Sequence, residues 1–366
     1  MEGVRTDVRV VNLSLLGMDW AVRQLKFPVN DAPALPVTME DHQFAKGTRD
    51  YLYYHDYGIR DSIELEKILA LLLSDNPADQ LEYSDNSRRN FLPTKNFKLT
   101  VDKHQVMANN VVPEKWQERI VDTMEWTYHQ NGVTLAGLTL MDVLVHNQWK
   151  RPIYFAFTVP ESERLGLDNY LVSEGFALRL MPVNAQGDPE VRERLVNTDA
   201  SYDGIMHRFA WGNMNQTTYL DPTSRAMIGE TIKIFSDTAE MLIAEGNIDA
   251  AKNIVNRATE VLPTKIHQAD IAARYPVLVD QLYALGETEK AHTWVDRNLR
   301  FLEEQMAYYA AIAETKSLTQ TEAMAIRTNL YTLQQFSDSA EAHGQTAQYR
   351  QLQTVFDKYR KLFFEG

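Results

Sequence analysis

The sequence contains no cysteine among its 366 residues. This absence excludes disulfide bonds, thiol catalysis and zinc–thiolate sites. It does not identify a cellular compartment, because secreted and cytosolic proteins can both lack cysteine. Hydrophobic residues make up 44% of the chain and aromatic residues 10%, so a large core can form. The length predicts two or three domains.

The chain also lacks an excess of positive charge. Lys and Arg number 37 against 50 Asp and Glu, which gives a net charge of −13. The negative balance extends over all three thirds of the chain, so no basic face or tail stands out. Because nucleic-acid binding depends on neutralising phosphates with Lys and Arg, we expect no nucleic-acid partner.

No apolar run is long enough to span a membrane. The most apolar run, residues 68–73, is far shorter than the ~20 residues that a spanning helix needs. No secretory signal peptide is visible, because charged residues follow Met1 at once. A strand-like segment also begins almost at Met1, and we therefore expect the chain to be a piece of a longer protein.

Common catalytic motifs are missing as well. The sequence has no Gly-x-Ser-x-Gly elbow, no phosphate-binding loop and no dinucleotide fingerprint. The nine histidines form no His-x-x-x-His pair. The adjacent pairs Asp41-His42 and His55-Asp56 offer possible metal ligands, but surface roles are more common for such pairs. We expect no metal and no cofactor.

Residues 1–222 predict an α/β module, since strand-like and helix-like segments alternate there. Segments with β-branched, apolar or alternating residues predict strands at 7–16, 97–101, 153–159 and 175–182. Helical periodicity with capping signals predicts helices at 19–25, 61–74, 114–130 and 138–148. This order predicts a mixed or mainly parallel sheet that is covered by helices.

Residues 223–366 predict an all-α domain of helical hairpins. Residues 235–263 align with 275–302 at a shift of 40 positions, and each unit reads as two helices joined by a turn at Gly246 or Gly286. A third, weaker pair is predicted over about 321–363. The pattern resembles the tetratricopeptide repeat, although its spacing is longer than usual.

The first helices of such stacked pairs form a concave surface, and these surfaces usually bind peptides or neighbouring domains. We therefore expect a protein or peptide acceptor to bind the helical repeats. The candidate exposed residues on these helices are Lys233, Asp237, Glu240, Asp280 and Gln281.

A second candidate site lies where the helix at 138–148 leads into the strand at 153–159. The helix must end near Pro152, because the residue before a proline avoids the helical conformation. Such junctions can line a crevice at the edge of a sheet. The crevice candidates are His146, Asn147, Trp149, Lys150 and Arg151. A purely structural use of these residues, with Trp149 packed and a cation on a backbone carbonyl, is the more common arrangement.

Four segments carry a resemblance to a known family. They are residues 2–16, 93–103, 147–156 (Asn-Gln-Trp-Lys-Arg-Pro-Ile-Tyr-Phe-Ala) and 167–175. Together they resemble the soluble C-terminal region of a bacterial multi-pass membrane protein family of long-unknown function. That family is related to a eukaryotic transmembrane protein O-mannosyltransferase with a lumenal repeat domain. The resemblance covers most of residues 1–220.

The resemblance implies a parent protein that transfers sugar from a lipid-linked donor to a protein. In that class the catalytic acid lies in the membrane-embedded half, so no residue of this chain inherits the catalytic role. The resemblance further implies that the chain faces the periplasm at the inner membrane, tethered by upstream spanning segments. Its partners would then be a protein acceptor and the membrane-embedded half of the same polypeptide.

A rival hypothesis comes from another functional class. The chain would be an independent soluble enzyme or a carbohydrate-binding protein, with its site at the strand ends near residues 146–151. A deep polar pocket beside those residues favours this rival. A shallow groove on the helical array favours acceptor or partner binding.

Overall fold

The computed structural model describes residues 5–84, 86–184, 195–216, 219–265 and 269–365. The chain divides into two compact units. The first unit comprises Met1–Ser173 and Ala177–Leu195, and the second comprises Glu174–Phe176 and Val196–Gly366. Small sheets and helices make up the first unit and packed helices make up the second, which confirms the predicted fold class.

The described residues of the first unit form short strands and four α-helices. The strands are β1 (Tyr51–Tyr53), β2 (Ile63–Glu64), β3 (Leu81–Glu82), β4 (Arg88–Arg89), β5 (Asn96–Thr100), β6 (Thr123–Thr127), β7 (Gly132–Thr134), β8 (Tyr154–Ala156), β9 (Leu171–Glu174) and β10 (Ala177–Leu180). The helices are α1 (Asp19–Leu25), α2 (Leu65–Leu73), α3 (Lys103–Ala108) and α4 (Leu135–Asn147).

The strands form several small sheets instead of one large sheet. The sheet β2–β5–β6 is mixed, because β2 pairs parallel with β5 while β5 pairs antiparallel with β6. The pairs β1–β7, β3–β4 and β8–β10 are antiparallel, and β9 lies on the other side of β10. The mixed arrangement is therefore confirmed, and a mainly parallel sheet is not observed.

One hydrophobic core unites this unit, and α2 and α4 pack against each other within it. The core side chains Leu65, Phe97, Met124 and Leu138 are almost completely buried. Burial of each large apolar side chain contributes roughly 1.5–3 kcal/mol. Helix α4 begins at a threonine cap, where Thr134 Oγ1 accepts a hydrogen bond from Gly137 N at 3.1 Å.

The prediction of a strand at residues 7–16 is wrong. This segment contains a short 3-10 helix, Leu13–Leu15, and it pairs with no strand. The side chain of Asn12 accepts a hydrogen bond from Ser14 N at 3.0 Å, which favours a turn at that point. Local hydrogen bonding therefore outweighs the β-propensity of the valines and leucines.

The prediction of a long helix at 114–130 is also wrong. A 3-10 helix, Glu114–Arg119, follows Pro113, and strand β6 comes after it. Along β6 the buried residues alternate with exposed ones, and Trp126 lies opposite Phe97 of β5. Pairing with β5 therefore decides the structure here, and the period of two was the signal in the sequence.

The second unit consists of helices, three pairs of which form hairpins. The helices are α5 (Thr198–Asp203), α6 (Pro222–Ala244), α7 (Ile248–Val261), α8 (Ala269–Ala272), α9 (Tyr275–Ala284), α10 (Thr288–Thr315), α11 (Gln320–Ala342) and α12 (Thr346–Arg360). The pairs α6–α7, α9–α10 and α11–α12 each pack together. No helix in the described part of the chain is long and apolar enough to cross a lipid bilayer.

Glycine closes the first helix of each hairpin, as predicted for Gly246 and Gly286. Their φ angles are +77° and +78°, and Gly344 has a φ of +69° at the third turn. These are left-handed conformations, which glycine adopts without the steric penalty of a Cβ atom. The predicted helical hairpins are thus confirmed in residues 223–365, outside 266–268.

Candidate functional site

The crevice predicted near residues 146–151 is formed by an unusual turn. Helix α4 ends at Asn147, and the next two residues, Gln148 and Trp149, have φ angles of +48° and +59°. Two successive non-glycine residues in the left-handed region are strained, and the surrounding contacts must hold them there. Asn147 supplies such contacts: its Nδ2 donates to Arg151 O at 2.8 Å, and its carbonyl accepts from Lys150 N at 2.9 Å.

This turn forms one side of an open cleft with a volume of about 440 Å³. The cleft has both polar and apolar walls, and its lining residues come from β5, α3 and the C-terminal end of α4. They are Leu99, Thr100, Asp102, Gln105, Leu144, Val145, Gln148, Trp149 and Lys150. Of the five predicted crevice residues, the cleft therefore brings together Trp149 and Lys150.

Some polar groups of the cleft already form hydrogen bonds within the protein, and others do not. The carboxylate of Asp102 caps α3 by accepting a hydrogen bond from Gln105 N at 3.0 Å. Thr100 Oγ1 donates to Glu64 at 2.8 Å. Among the described residues no carboxylate pairs with the ammonium of Lys150. Trp149 is buried, so its ring forms a wall of the cleft and not an open stacking platform.

The other three predicted crevice residues do not line the cleft and make structural contacts instead. Arg151 Nη1 donates to Pro33 O at 3.0 Å. Burial lowers the pKa of Arg151, and the positive charge of Arg9 lowers that pKa further. His146 contacts Asp142 one helical turn earlier, with 2.8 Å between Nδ1 and the carboxylate Oδ1. The Arg151 contact is the structural use of a cation on a backbone carbonyl that the sequence analysis also allowed.

Asp142 is a residue that the sequence analysis missed. Its side chain is fully buried, and its Oδ2 accepts hydrogen bonds from Thr38 N at 2.7 Å and Met39 N at 3.1 Å. Its Oδ1 accepts from Thr38 Oγ1 at 2.8 Å. The carboxylate therefore ties the loop at 37–39 to α4. An aspartate on the apolar side of a predicted helix, four residues before a histidine, was the available signal.

The candidates on the helical hairpins lie on two different helices. Lys233, Asp237 and Glu240 follow one another at helical spacing along α6. Lys233 is exposed, and its Nζ lies 2.6 Å from Asp237 Oδ2. Glu240 is half-buried. These side chains form a charged line on the first helix of the first hairpin.

Asp280 and Gln281 lie on α9, and they differ in exposure. The Asp280 side chain is half-exposed and accepts hydrogen bonds from Ser339 Oγ at 2.8 Å and His343 Nε2 at 3.0 Å. Gln281 is buried, and its Nε2 donates to Ser236 O of α6 at 2.8 Å. The expectation that Gln281 is exposed is therefore wrong, since it joins two helices in the interior.

A polar cluster beside Asp280 was also missed. Tyr283 is buried, and its ring stacks on His343 with 5.6 Å between centroids and contacts the edge of His292 at 5.8 Å. Its hydroxyl has no hydrogen-bond partner among the described residues. Burial, with a smaller contribution from the charge of Asp296, raises the pKa of Tyr283 to about 12. The cluster joins the second hairpin to the third.

A comparison with known protein families found a match over the N-terminal part of the chain. A family model described as TMEM260-associated domain 2 matches residues 1–200, which is more than half of the chain. The chain belongs to the TMEM260-associated domain 2 family. The matched region of this family includes the cleft with Trp149 and Lys150, whereas the helical hairpins lie beyond it. No curated protein and no solved structure matches the chain.

The described residues include no group of three or more histidine, aspartate or glutamate side chains that could hold a metal ion. In this member of the TMEM260-associated domain 2 family, the site with the clearest geometry is the cleft beside Lys150. Its single carboxylate, Asp102, is engaged in capping α3. The lining combines polar groups with apolar surface.

Proposed function

We propose that this chain is the extracytoplasmic part of a membrane glycosyltransferase-like protein and that it binds the protein acceptor or a protein partner. The observation that carries the proposal is the family match over residues 1–200, since the description of that family suggests a domain associated with a membrane protein. Sugar transfer from a lipid-linked donor then belongs to the membrane-embedded half, as in O-mannosyltransferases. The proposed location is the periplasmic face of a bacterial inner membrane.

The helical hairpins provide the proposed binding surface. Lys233 on α6 and Asp280 on α9 are both accessible, and both lie on the first helix of a hairpin. Stacked hairpins commonly bind extended peptides along their first helices. The charged groups would fix the orientation of a peptide, while the long α6 supplies contact length.

Tethering to the membrane-embedded half would make acceptor binding useful for sugar transfer. A binding module fixed beside an active site converts a bimolecular encounter into an intramolecular one, and the effective concentration of the acceptor rises to about millimolar. Each acceptor would then be held near the membrane long enough for transfer. The module itself needs no catalytic residues for this role.

Site-specific photo-crosslinking tests the proposal. A photo-reactive amino acid replaces Lys233 or Asp280 in the full-length membrane protein, and the matched control replaces Arg257, which lies on the second helix of the first hairpin. We expect crosslinks from 233 and 280 to a glycosylated protein, and none from 257. A photo-reactive amino acid at 148 or 150 that crosslinks to a glycosylated protein, while 233 and 280 give no crosslink, would contradict the proposal.

The cleft supports a second candidate function, which is carbohydrate binding by the first unit. The observation in its favour is the Lys150 ammonium, which pairs with no carboxylate in the described part of the chain and lies beside Gln148 and Trp149 in a cleft of about 440 Å³. Sugar rings combine hydroxyl groups with apolar faces, and such a mixed lining suits both. Saturation-transfer NMR with methyl mannoside tests it, and Lys150→Ala should abolish the transfer if the cleft is the site.

A further inference from the structure

Asp280 and His343 join the second helical hairpin to the third. Asp280 lies on α9, and His343 directly follows α11. Both hydrogen bonds that the carboxylate accepts go to its Oδ1, one from Ser339 Oγ at 2.8 Å and one from His343 Nε2 at 3.0 Å. In the described part of the chain, Oδ2 has no partner. Because the Asp280 side chain is 51% exposed, the carboxylate remains accessible to an external donor.

The carboxylate also fixes the hydrogen-bonding state of His343. An ionised carboxylate only accepts hydrogen bonds, so the proton of the neutral imidazole lies on Nε2 and a second proton binds at Nδ1. The ring of Tyr283 stacks on the imidazole with 5.6 Å between the ring centroids, which holds the orientation of the imidazole. The His343 side chain is 27% exposed, so solvent can deliver the second proton.

No lysine or arginine among the described residues pairs with Asp280 or contacts His343. Ser339 reaches Asp280 from α11, and the Gln345 side-chain amide donates to His343 O at 2.9 Å from the turn before α12. Tyr283 faces His343 from α9, and burial raises the pKa of Tyr283 to about 12. Tyr283 therefore stays neutral throughout the physiological pH range.

Two further titratable groups near the pair lie on α10. His292 makes an edge contact with the Tyr283 ring at 5.8 Å between centroids, and its Nε2 lies 3.0 Å from Gln345 Oε1. Asp296 accepts a hydrogen bond from Gln348 Nε2 at 3.0 Å. Among the described partners of Asp280, His343 alone belongs to a residue type that changes charge between pH 5 and 8.

The net charge of the Asp280–His343 pair consequently depends on pH. With a neutral imidazole the pair carries the full negative charge of the carboxylate, and with an imidazolium it carries no net charge. Lys233, on the same proposed binding surface, is already balanced by Asp237, with 2.6 Å between Nζ and Oδ2. An accessible carboxylate is complementary to the ammonium or guanidinium group of a ligand.

We propose that Asp280 binds a lysine or arginine side chain of the acceptor protein and that protonation of His343 weakens this contact. The inference rests on the proposed function and deepens it, because it names basic segments as the acceptors and pH as a regulator of their binding. A cation that approaches Oδ2 meets an uncompensated carboxylate when His343 is neutral and a compensated one when His343 is charged. One unit charge at about 4 Å in water changes an affinity by about fivefold.

Fluorescence anisotropy with two labelled peptides tests the inference on the purified chain. One peptide alternates lysine with threonine, and the other alternates glutamate with threonine. The measurements are made at about pH 7.5 and about pH 5.5, which lie on either side of the ordinary titration of histidine. We expect the lysine peptide to bind at the higher pH and the glutamate peptide not to bind. At the lower pH the dissociation constant of the lysine peptide should be about fivefold higher.

Three single variants assign the effect to the pair. Asp280→Asn should weaken binding of the lysine peptide at the higher pH by about fivefold, because the charge of the carboxylate is lost. His343→Gln keeps a hydrogen-bond donor for Asp280 but takes up no proton, so binding should be equally strong at both pH values. The matched control is His292→Gln, which replaces the neighbouring histidine and should preserve the pH dependence of the parent. Melting curves verify that each variant is folded.

Three results would overturn the inference. The lysine peptide could bind no better than the glutamate peptide at the higher pH, its binding could fail to weaken at the lower pH, or the pH dependence could survive in His343→Gln. Crosslinks from position 233 in the full-length membrane protein test the proposed function without the Asp280 carboxylate. If those crosslinks form while the two peptides bind equally, the proposed function stands and the basic class of acceptor is wrong.

Discussion

Asp142 and His146 lie one turn apart on α4, with the buried carboxylate of Asp142 2.8 Å from His146 Nδ1. The same carboxylate accepts two backbone N–H groups and one hydroxyl group from the loop at 37–39. A buried carboxylate is tolerated only when its oxygens are well provided with donors. This relationship makes Asp142 a tether between the loop and the helix that leads to the cleft.

We predict that Asp142→Ala destabilises the first unit by about 3 kcal/mol, because it leaves the N–H groups of Thr38 and the buried Met39 without their acceptor. Hydrogen exchange of these two amides should accelerate by about two orders of magnitude. The control is Asp122→Asn, since Asp122 is exposed and pairs with Lys103 at the surface. The control should change stability by less than about 0.5 kcal/mol.

We predict a smaller loss of stability when His146 is replaced. It is partly exposed and supplies one of the donors to Asp142, while the loop supplies the rest. His146→Gln should therefore cost about 1 kcal/mol. If this substitution proved as damaging as Asp142→Ala, the imidazole and not the loop would be the principal partner of the carboxylate.

Local signals in the sequence predicted the helical part of the fold well. Helical periodicity and the glycines at 246 and 286 located the hairpins, because an amphipathic helix and a left-handed cap both leave residue-by-residue patterns. Helix α4 and strand β5 were likewise predicted close to their observed bounds. These elements share strong local determinants.

Long-range pairing decided one of the segments that the sequence analysis did not predict correctly. Residues 123–127 form a strand because they pair with β5, and no signal nearby in the chain specifies that partner. Long-range packing also forms the cleft. Lys150 and Trp149 were predicted, but Asp102 and Gln105 reach it from α3 through tertiary packing that local patterns do not encode.

Substitution of a glycine can measure how much the left-handed backbone conformation at a hairpin turn contributes to stability. Gly286 has a φ of +78°, and a Cβ atom added there would meet nothing within 4 Å. Gly286→Ala should therefore cost about 1 kcal/mol through left-handed strain alone. The matched control is Gly17→Ala, where space is equally open and φ is not positive. Chemical denaturation followed by circular dichroism measures both.

At the cleft, packing and surface charge can be separated by two neighbouring substitutions. Trp149→Ala removes a buried indole from the core of the first unit and should cost about 3 kcal/mol. Lys150→Ala removes an exposed ammonium and should alter stability by less than about 0.5 kcal/mol. Thermal unfolding checks the difference. Equal effects would mean that Trp149 does not anchor the turn.

Tyr283 gives the second unit a predicted sensitivity to alkaline pH. Its folded pKa is raised to about 12 because burial disfavours the phenolate, whereas the unfolded value is about 10. Folding thus favours the neutral form of Tyr283. Its contribution to the free energy of unfolding is fully present below pH 10 and is lost as the pH rises toward 12. At pH 11 the loss should be about 1 kcal/mol.

Tyr283→Phe should remove the part of the alkaline pH dependence that arises from ionisation of the Tyr283 hydroxyl. The hydroxyl has no partner among the described residues, so its deletion should leave stability at pH 7 unchanged or slightly higher. Between pH 9 and pH 11 the variant should lose about 1 kcal/mol less than the parent in urea unfolding. Tyr308→Phe serves as the control, because Tyr308 is exposed. An identical pH dependence of parent and Tyr283→Phe would show that this tyrosine ionises as freely in the folded chain as in the unfolded one.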